Sequence, residues 1–126
     1  MKTHILLIDD DINEMKTFVK ALPEVVAPFT CTYASNGIHA LKMLFYLRPG
    51  AIFVDYNMPV MNGLEFIEEI KKNEQLRCIP VFLYSRHISR DTIEKAEKMG
   101  TAGCMEKPAT IEGLVKALKV TFMSSL

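Results

Sequence analysis

Five times along this chain a short, nearly all-apolar run gives way to a longer stretch with helical periodicity, and that alternation limits the folds open to it. The runs His4–Ile8, Phe29–Ala34, Ala51–Val54, Pro80–Tyr84 and Gly103–Glu106 read as strands. Most are near-continuously apolar, as strands covered on both faces are. Asp11-Ile12-Asn13-Glu14 has the form of a capping box opening the first helix, whose inward stripe is Ile12, Met15, Val19 and Leu22 before Pro23 stops it. A second helix is predicted over about residues 37–47, between Ser35-Asn36-Gly37 and Pro49-Gly50. The third starts after Asn62-Gly63 with Leu64, Ile67 and Ile70 inward, and the fourth covers about Arg90–Met99 and ends at Gly100. The fifth follows Thr110, with Ile111, Leu114, Val115, Leu118 and Phe122 on one face. Right-handed crossovers turn five such βα units into an α/β fold, a doubly wound parallel sheet with helices on both sides.

Composition narrows the function classes. The 126 residues suit one domain, 49% are hydrophobic, and fifteen basic residues balance fifteen acidic ones. An electrostatic binder of nucleic acid or of a membrane surface usually carries a basic excess, so neither is an expected partner. No apolar stretch approaches the roughly 18–20 residues that cross a bilayer. MKTHILLIDD lacks a signal-peptide core, so a cytoplasmic protein is expected. The three cysteines, Cys31, Cys78 and Cys104, are widely spaced with no CxxC, which argues against a disulfide framework or a thiolate zinc site.

In doubly wound sheets the ligand site lies beyond the carboxyl ends of the strands. Here that rim receives Asp9 and Asp10 after the first strand, Asp55 after the third, Ser85 after the fourth and Lys107 after the fifth. Three carboxylates, a hydroxyl and an ammonium suit a phosphoryl acceptor. Carboxylate oxygens match Mg²⁺, which takes one or two of them and keeps several waters. Asp55 is then the nucleophile, forming an aspartyl phosphate, with Ser85 and Lys107 each binding a phosphoryl oxygen. Each residue alone also has a bland reading as a cap, a turn residue or a loop; the spacing of all of them in one βα order favours the site. A flavin-nucleotide site is disfavoured because three aspartates would repel its phosphate. An aspartate-based phosphatase would want a general acid where this chain has Asn57.

The segments LLIDDD, FVDYNMPVMNG, LYS and EKP, spread over the whole chain, resemble those of CheY-like response-regulator receiver domains of two-component signalling. The resemblance implies a single receiver domain over residues 1–126 with a flavodoxin-like sheet in strand order 2-1-3-4-5. It implies that Asp55 accepts the phosphoryl group from a phosphohistidine of a sensor histidine kinase or phosphotransfer protein. Asp10 and Asp55 would hold Mg²⁺ (or Mn²⁺) with the backbone carbonyl of Asn57, and Asp9 would act largely through water. Ser85 becomes the switch hydroxyl, Lys107 the phosphate-binding lysine, and the Lys107–Pro108 peptide bond cis. Such a domain catalyses its own phosphorylation and dephosphorylation and is not otherwise an enzyme. Asn13, Glu14, Thr17 and the Pro108 loop would dock the kinase. The fourth helix, fifth strand and fifth helix would carry a downstream protein target or a homodimer, with Ala117, Val120 and Met123 as an apolar remainder.

Three features depart from the family pattern, at four positions. Cys104 stands where an aromatic switch is usual, and is read as a small buried hydrophobe. Arg86 stands where a small residue is usual, and its guanidinium either reaches the phosphoryl oxygens or a nearby acid, or points into water. Asn57 and His87 occupy positions that tune the lifetime of the aspartyl phosphate; His87 either orients a water or is an exposed loop residue. The competing reading is a scaffold that keeps the fold without signalling through phosphate.

Overall fold

The computed structural model describes residues 3–125, with side chains described as far as Met123. Strand β1 (Thr3–Ile8) leads into α1 (Ile12–Ala21) and a short 3₁₀ turn at Leu22–Glu24. Then follow β2 (Phe29–Ala34), α2 (Gly37–Met43), β3 (Ala51–Val54), α3 (Gly63–Lys72), β4 (Val81–Ser85), α4 (Arg90–Met99), β5 (Gly103–Glu106) and α5 (Ile111–Ser125). The five strands form one sheet in the order β2-β1-β3-β4-β5, with every pairing parallel. The predicted α/β doubly wound, flavodoxin-like (βα)5 sheet is therefore the one observed. The register aligns the strand ends: Ala34 lies beside Ile8, Ile8 beside Val54, Val54 beside Leu83 and Leu83 beside Cys104.

Alternation along the strands sends side chains to two different cores. Leu6, Ile8, Ile52, Val54, Val81 and Leu83 pack with Phe66, Ile67 and Ile70 of α3, and Cys104 lies against this cluster. Ile5, Leu7, Phe53, Phe82 and Tyr84 pack with Phe18 of α1 and with Leu114 and Leu118 of α5. The second core is aromatic. Phe53 stacks on Phe82 at 4.8 Å between ring centroids and meets Phe18 edge-on at 5.2 Å. Tyr84 meets Phe18 edge-on at 5.7 Å.

Several local expectations need correction. Helix α1 buries Phe18 and Ala21, and Leu22 is buried in the turn that follows, whereas Ile12 is 51% exposed and Met15 and Val19 are only half-buried. The stripe is rotated because the large Phe18 ring takes the place against Phe53. Asp11 does cap α1, accepting a hydrogen bond from the Asn13 N–H. Glu14 does not return the bond, because the Asp11 N–H donates to Asp9 Oδ1. A reciprocal capping box stands instead at α3, between Asn62 and Glu65. Helix α2 ends at Met43, short of the predicted Leu47. The Arg48 guanidinium donates to the Leu44 and Leu47 carbonyls, and Pro49 disfavours helical geometry in the residue before it.

Gly63 opens α3 where no side chain fits: a Cβ there would lie 2.7 Å from the Asp55 carbonyl oxygen and 2.7 Å from a Leu83 methyl. Its N–H donates to the Tyr56 carbonyl at 3.0 Å. In the loop before it, Val60 has φ 71° and is 90% exposed. The left-handed region costs a side-chain-bearing residue about 1–2 kcal/mol, and a β-branched one is a genuine outlier there.

Candidate phosphoryl-acceptor site

The sheet delivers the site by extending its ladder one residue beyond the strands. The Asp9 N–H donates to Ala34 O, the Asp55 N–H to Ile8 O, and the Lys107 N–H to Ser85 O. Asp9, Asp55 and Lys107 each continue the alternation that points Leu7, Phe53 and Met105 toward the aromatic core. They therefore arrive on one side of the rim. Asp9, Asp55 and Ser85 are buried at the bottom of a cleft of about 290 Å³, and Asp10, Glu14, Asn57, Arg86 and Lys107 also line it.

The contacts form one network. Ser85 Oγ donates to Asp55 Oδ1 at 2.8 Å, and the Asn57 N–H reaches the same oxygen at 3.3 Å. Asp55 Oδ2 lies 3.5 Å from Lys107 Nζ. Lys107 donates to Asp9 Oδ2 at 2.6 Å, and its ammonium lies 5.3 Å from the centroid of the Tyr84 ring. Burial pushes the Asp9 carboxyl above its ordinary value. The hydrogen bonds from Lys107 and the Asp11 N–H only partly offset this, and the charge of Asp55 adds to it. Desolvation outweighs the ion pair because Asp9 is nearly sealed from water. The Tyr84 hydroxyl is pushed up for the same first reason, burial, with the Glu14 and Asp9 charges adding to it.

One carboxylate oxygen from each of Asp9, Asp10 and Asp55 lies within 4.8 Å of the others. Asp10 is exposed while Asp9 and Asp55 are buried, so the cluster opens to solvent on one side. An all-oxygen donor set open to solvent on one side fits a small hard divalent cation. The cluster is able to hold a metal ion.

Sequence reasoning located Asp9, Asp10, Asp55, Ser85, Lys107 and Asn57, and the fold brings all six to one cleft. Arg86 lines the cleft too, but its guanidinium is engaged by Glu14, with Nη2 2.5 Å from Oε1. His87 is exposed and does not line it. Cys104 is half-buried on the opposite, aliphatic side of the sheet, and burial pushes its thiol up. The cis bond expected at Lys107–Pro108 is a correction: among the described residues the cis peptide is Ala27–Pro28. The Lys107–Pro108 bond keeps the intrinsically favoured trans form. Two contributors were missed. The Tyr33 hydroxyl donates to the Asp9 carbonyl at 2.6 Å, and the Tyr84 ring underlies Lys107. The alternation of β4 already pointed Tyr84 to the face of Asp55. Nothing in the sequence pairs Tyr33 with Asp9.

Comparison with known proteins agrees with this fold. The family model described as the response regulator receiver domain matches residues 5–119. Chemotaxis protein CheY-3 of Vibrio cholerae is 31% identical over 93% of this chain and 90% of its own length. The nitrate/nitrite response regulator NarL of Escherichia coli is 36% identical over 90% of this chain, which spans only 52% of NarL. Among solved structures, chemotaxis protein CheY4 of Vibrio cholerae superimposes with a TM-score of 0.85 at 26% identity, covering 100% of both chains. No helix among the described residues is long and apolar enough to cross a membrane. A family match running nearly from end to end, on a sheet wound in the same order, places this chain in the CheY-like response regulator receiver domain family of two-component signalling.

Proposed function

We propose that this chain is a single receiver domain that accepts a phosphoryl group on Asp55 from a phosphohistidine of a sensor histidine kinase or phosphotransfer protein. The reading rests on one observation: Asp55 is buried at the end of β3 with a hydroxyl, an ammonium and two further aspartates converging on it. Asp55 Oδ1 is already held by Ser85 and Asn57, so Oδ2 is the oxygen open to bond formation. Oδ2 attacks phosphorus, the P–N bond to the donor imidazole breaks, and that nitrogen keeps the electron pair and takes a proton. The product is an acyl phosphate. Ser85 and Lys107 then donate to phosphoryl oxygens instead of to Asp55 and Asp9. Charge neutralisation in a partly desolvated cleft is the main catalytic contribution. Asp9, Asp10, Asp55 and the Asn57 carbonyl would hold Mg²⁺ or Mn²⁺, which supplies positive charge beside the phosphoryl oxygens.

The phosphorylated and unphosphorylated chains differ in the populations of two conformations, and protein contacts read the difference. The kinase docks near Asn13, Glu14, Thr17 and the Pro108 loop. A downstream protein or a second copy docks on α4, β5 and α5, where Val120 and Met123 are exposed. A cytoplasmic setting and self-catalysed loss of the phosphoryl group belong to the same reading.

The test is intact mass after incubation with Mg²⁺ and acetyl phosphate, beside Asp55→Asn. The expected result is a Mg²⁺-dependent, acid-stable and base-labile adduct of one phosphoryl group on the wild type alone. The absence of both an adduct and any Mg²⁺-induced spectral shift would replace this reading with the phosphate-independent scaffold.

A further inference from the structure

Glu14 is an odd neighbour for an anion-binding cleft. Its side chain is only 12% exposed, and its Oε1 lies 4.0 Å from Lys107 Nζ. It adds a fifth acid to a cleft already lined by Asp9, Asp10, Asp11 and Asp55, where every added negative charge raises the cost of admitting a phosphoryl group. It closes no capping box, since the Asp11 N–H it would accept is taken by Asp9. What it does hold is Arg86, with Nη2 2.5 Å from Oε1. The two ends of that pair are unlike: the Arg86 side chain is 68% exposed and the Glu14 side chain is walled in. The arginine can swing on its stem while the glutamate stays. Arg86 directly follows Ser85, whose hydroxyl already touches Asp55.

We infer that Glu14 is a positioning residue that parks Arg86 at the cleft mouth, and that phosphoryl oxygens on Asp55 compete with Glu14 for this guanidinium. The inference rests on Asp55 being the acceptor. Phosphorylation replaces a single negative charge with a phosphoryl group carrying about −1.5 to −2, with oxygens spaced for the guanidinium fork. A fork meets such oxygens two at a time, whereas Glu14 offers Arg86 one bond through Nη2. The exchange strengthens phosphoryl binding and leaves Lys107 shared among Asp9, Asp55 and Glu14 in the resting state. Glu14 thereby limits affinity for the phosphoryl group, and Arg86 raises it.

The experiment measures binding of beryllofluoride, a phosphoryl analogue, in Mg²⁺ to the wild type, Arg86→Gln, Arg86→Lys, Glu14→Gln and the Glu14→Gln/Arg86→Gln double variant. Arg86→Gln is expected to weaken binding about tenfold, as loss of a charge-assisted hydrogen bond does. Arg86→Lys should fall between Arg86→Gln and the wild type. Glu14→Gln is expected to tighten binding about threefold, by release of an ion pair whose arginine is largely exposed, and by clearly less in the Arg86→Gln background, where only its bulk charge is removed. An equal gain in the Arg86→Gln background would mean that Glu14 acts as bulk charge alone, and would overturn the inference. So would loss of affinity in Glu14→Gln. If the wild type binds no beryllofluoride and takes no adduct, the acceptor reading itself fails and this inference falls with it. If the wild type binds and the variants match it, only the exchange is wrong.

Discussion

The two faces of the sheet are built from different materials. Toward α1 and α5, Phe18, Phe53, Phe82, Tyr84 and Phe122 form a chain of ring contacts between 4.8 and 6.2 Å. Toward α2, α3 and α4 the core is aliphatic apart from Phe66, and the partly buried Tyr56, Met61 and Cys104 fill its margins. Asp9, Asp55 and Lys107 stand on the aromatic side, where Lys107 lies over the Tyr84 ring. Rings have few rotamers and pack in preferred geometries, so that side makes a stiff floor for charges that must be held in place. Methionine and cysteine are soft and adaptable, and they line the margin of the other side.

The sharpest way to break this contrast is Phe53→Ala. Its ring touches Phe18, Phe82, Tyr84 and Phe122, so truncation should cost about 3–5 kcal/mol in urea unfolding. The same measurement on Leu83→Ala tests the aliphatic side. Leu83 is fully buried, and about 3 kcal/mol is expected because the flexible margin closes part of the cavity. An equal or larger loss than for Phe53→Ala would erase the asymmetry.

Asp9→Asn probes the rim above the aromatic side. Burial raises the Asp9 carboxyl above its ordinary 3.8, so the folded state binds that proton more tightly than the unfolded chain does. The stability this contributes is fully present below the unfolded value and is lost as pH rises through the folded one. At neutral pH the ionised carboxylate therefore burdens the fold, and Asp9→Asn is expected to raise the urea midpoint there. The gain should shrink as pH falls toward the ordinary carboxylate value, and a gain unchanged across that window would contradict the assignment. The smallest effect is expected in the loop that covers the aliphatic side. Val60→Asn puts a residue tolerant of positive φ at the strained position and should add about 1 kcal/mol, read as a higher midpoint at constant slope.

How much of this was legible in the sequence depended on distance along the chain. The strands and the rim residues could be read because a parallel sheet turns a local pattern, an apolar run ending in a polar residue, into a global position. Gly100 ended α4 as predicted, in the left-handed conformation that a helix C-terminus favours in glycine. The inward face of α1 was misread because Ile12 and Val19 look apolar in sequence, while only the sheet shows that the Phe18 ring has a place against Phe53. Glu14 looked like a cap for the same reason: its true partner, Arg86, is 72 residues away. The shortening of α2 turned on Arg48 bending back onto carbonyls, which composition does not reveal.

The missing side chain at Gly63 has a mechanical result. With Asp55 O and the Tyr56 Cα both within 3 Å of where its Cβ would sit, the Asp55 backbone rests directly against the first turn of α3. The Gly63 N–H bond to Tyr56 and the Asn62–Glu65 clasp join that turn to the rest of the helix. Asp55 and the helix thus behave as a bearing and its shaft with no play between them. A displacement of the Asp55 backbone is passed to ten residues of helix rather than absorbed in the loop between.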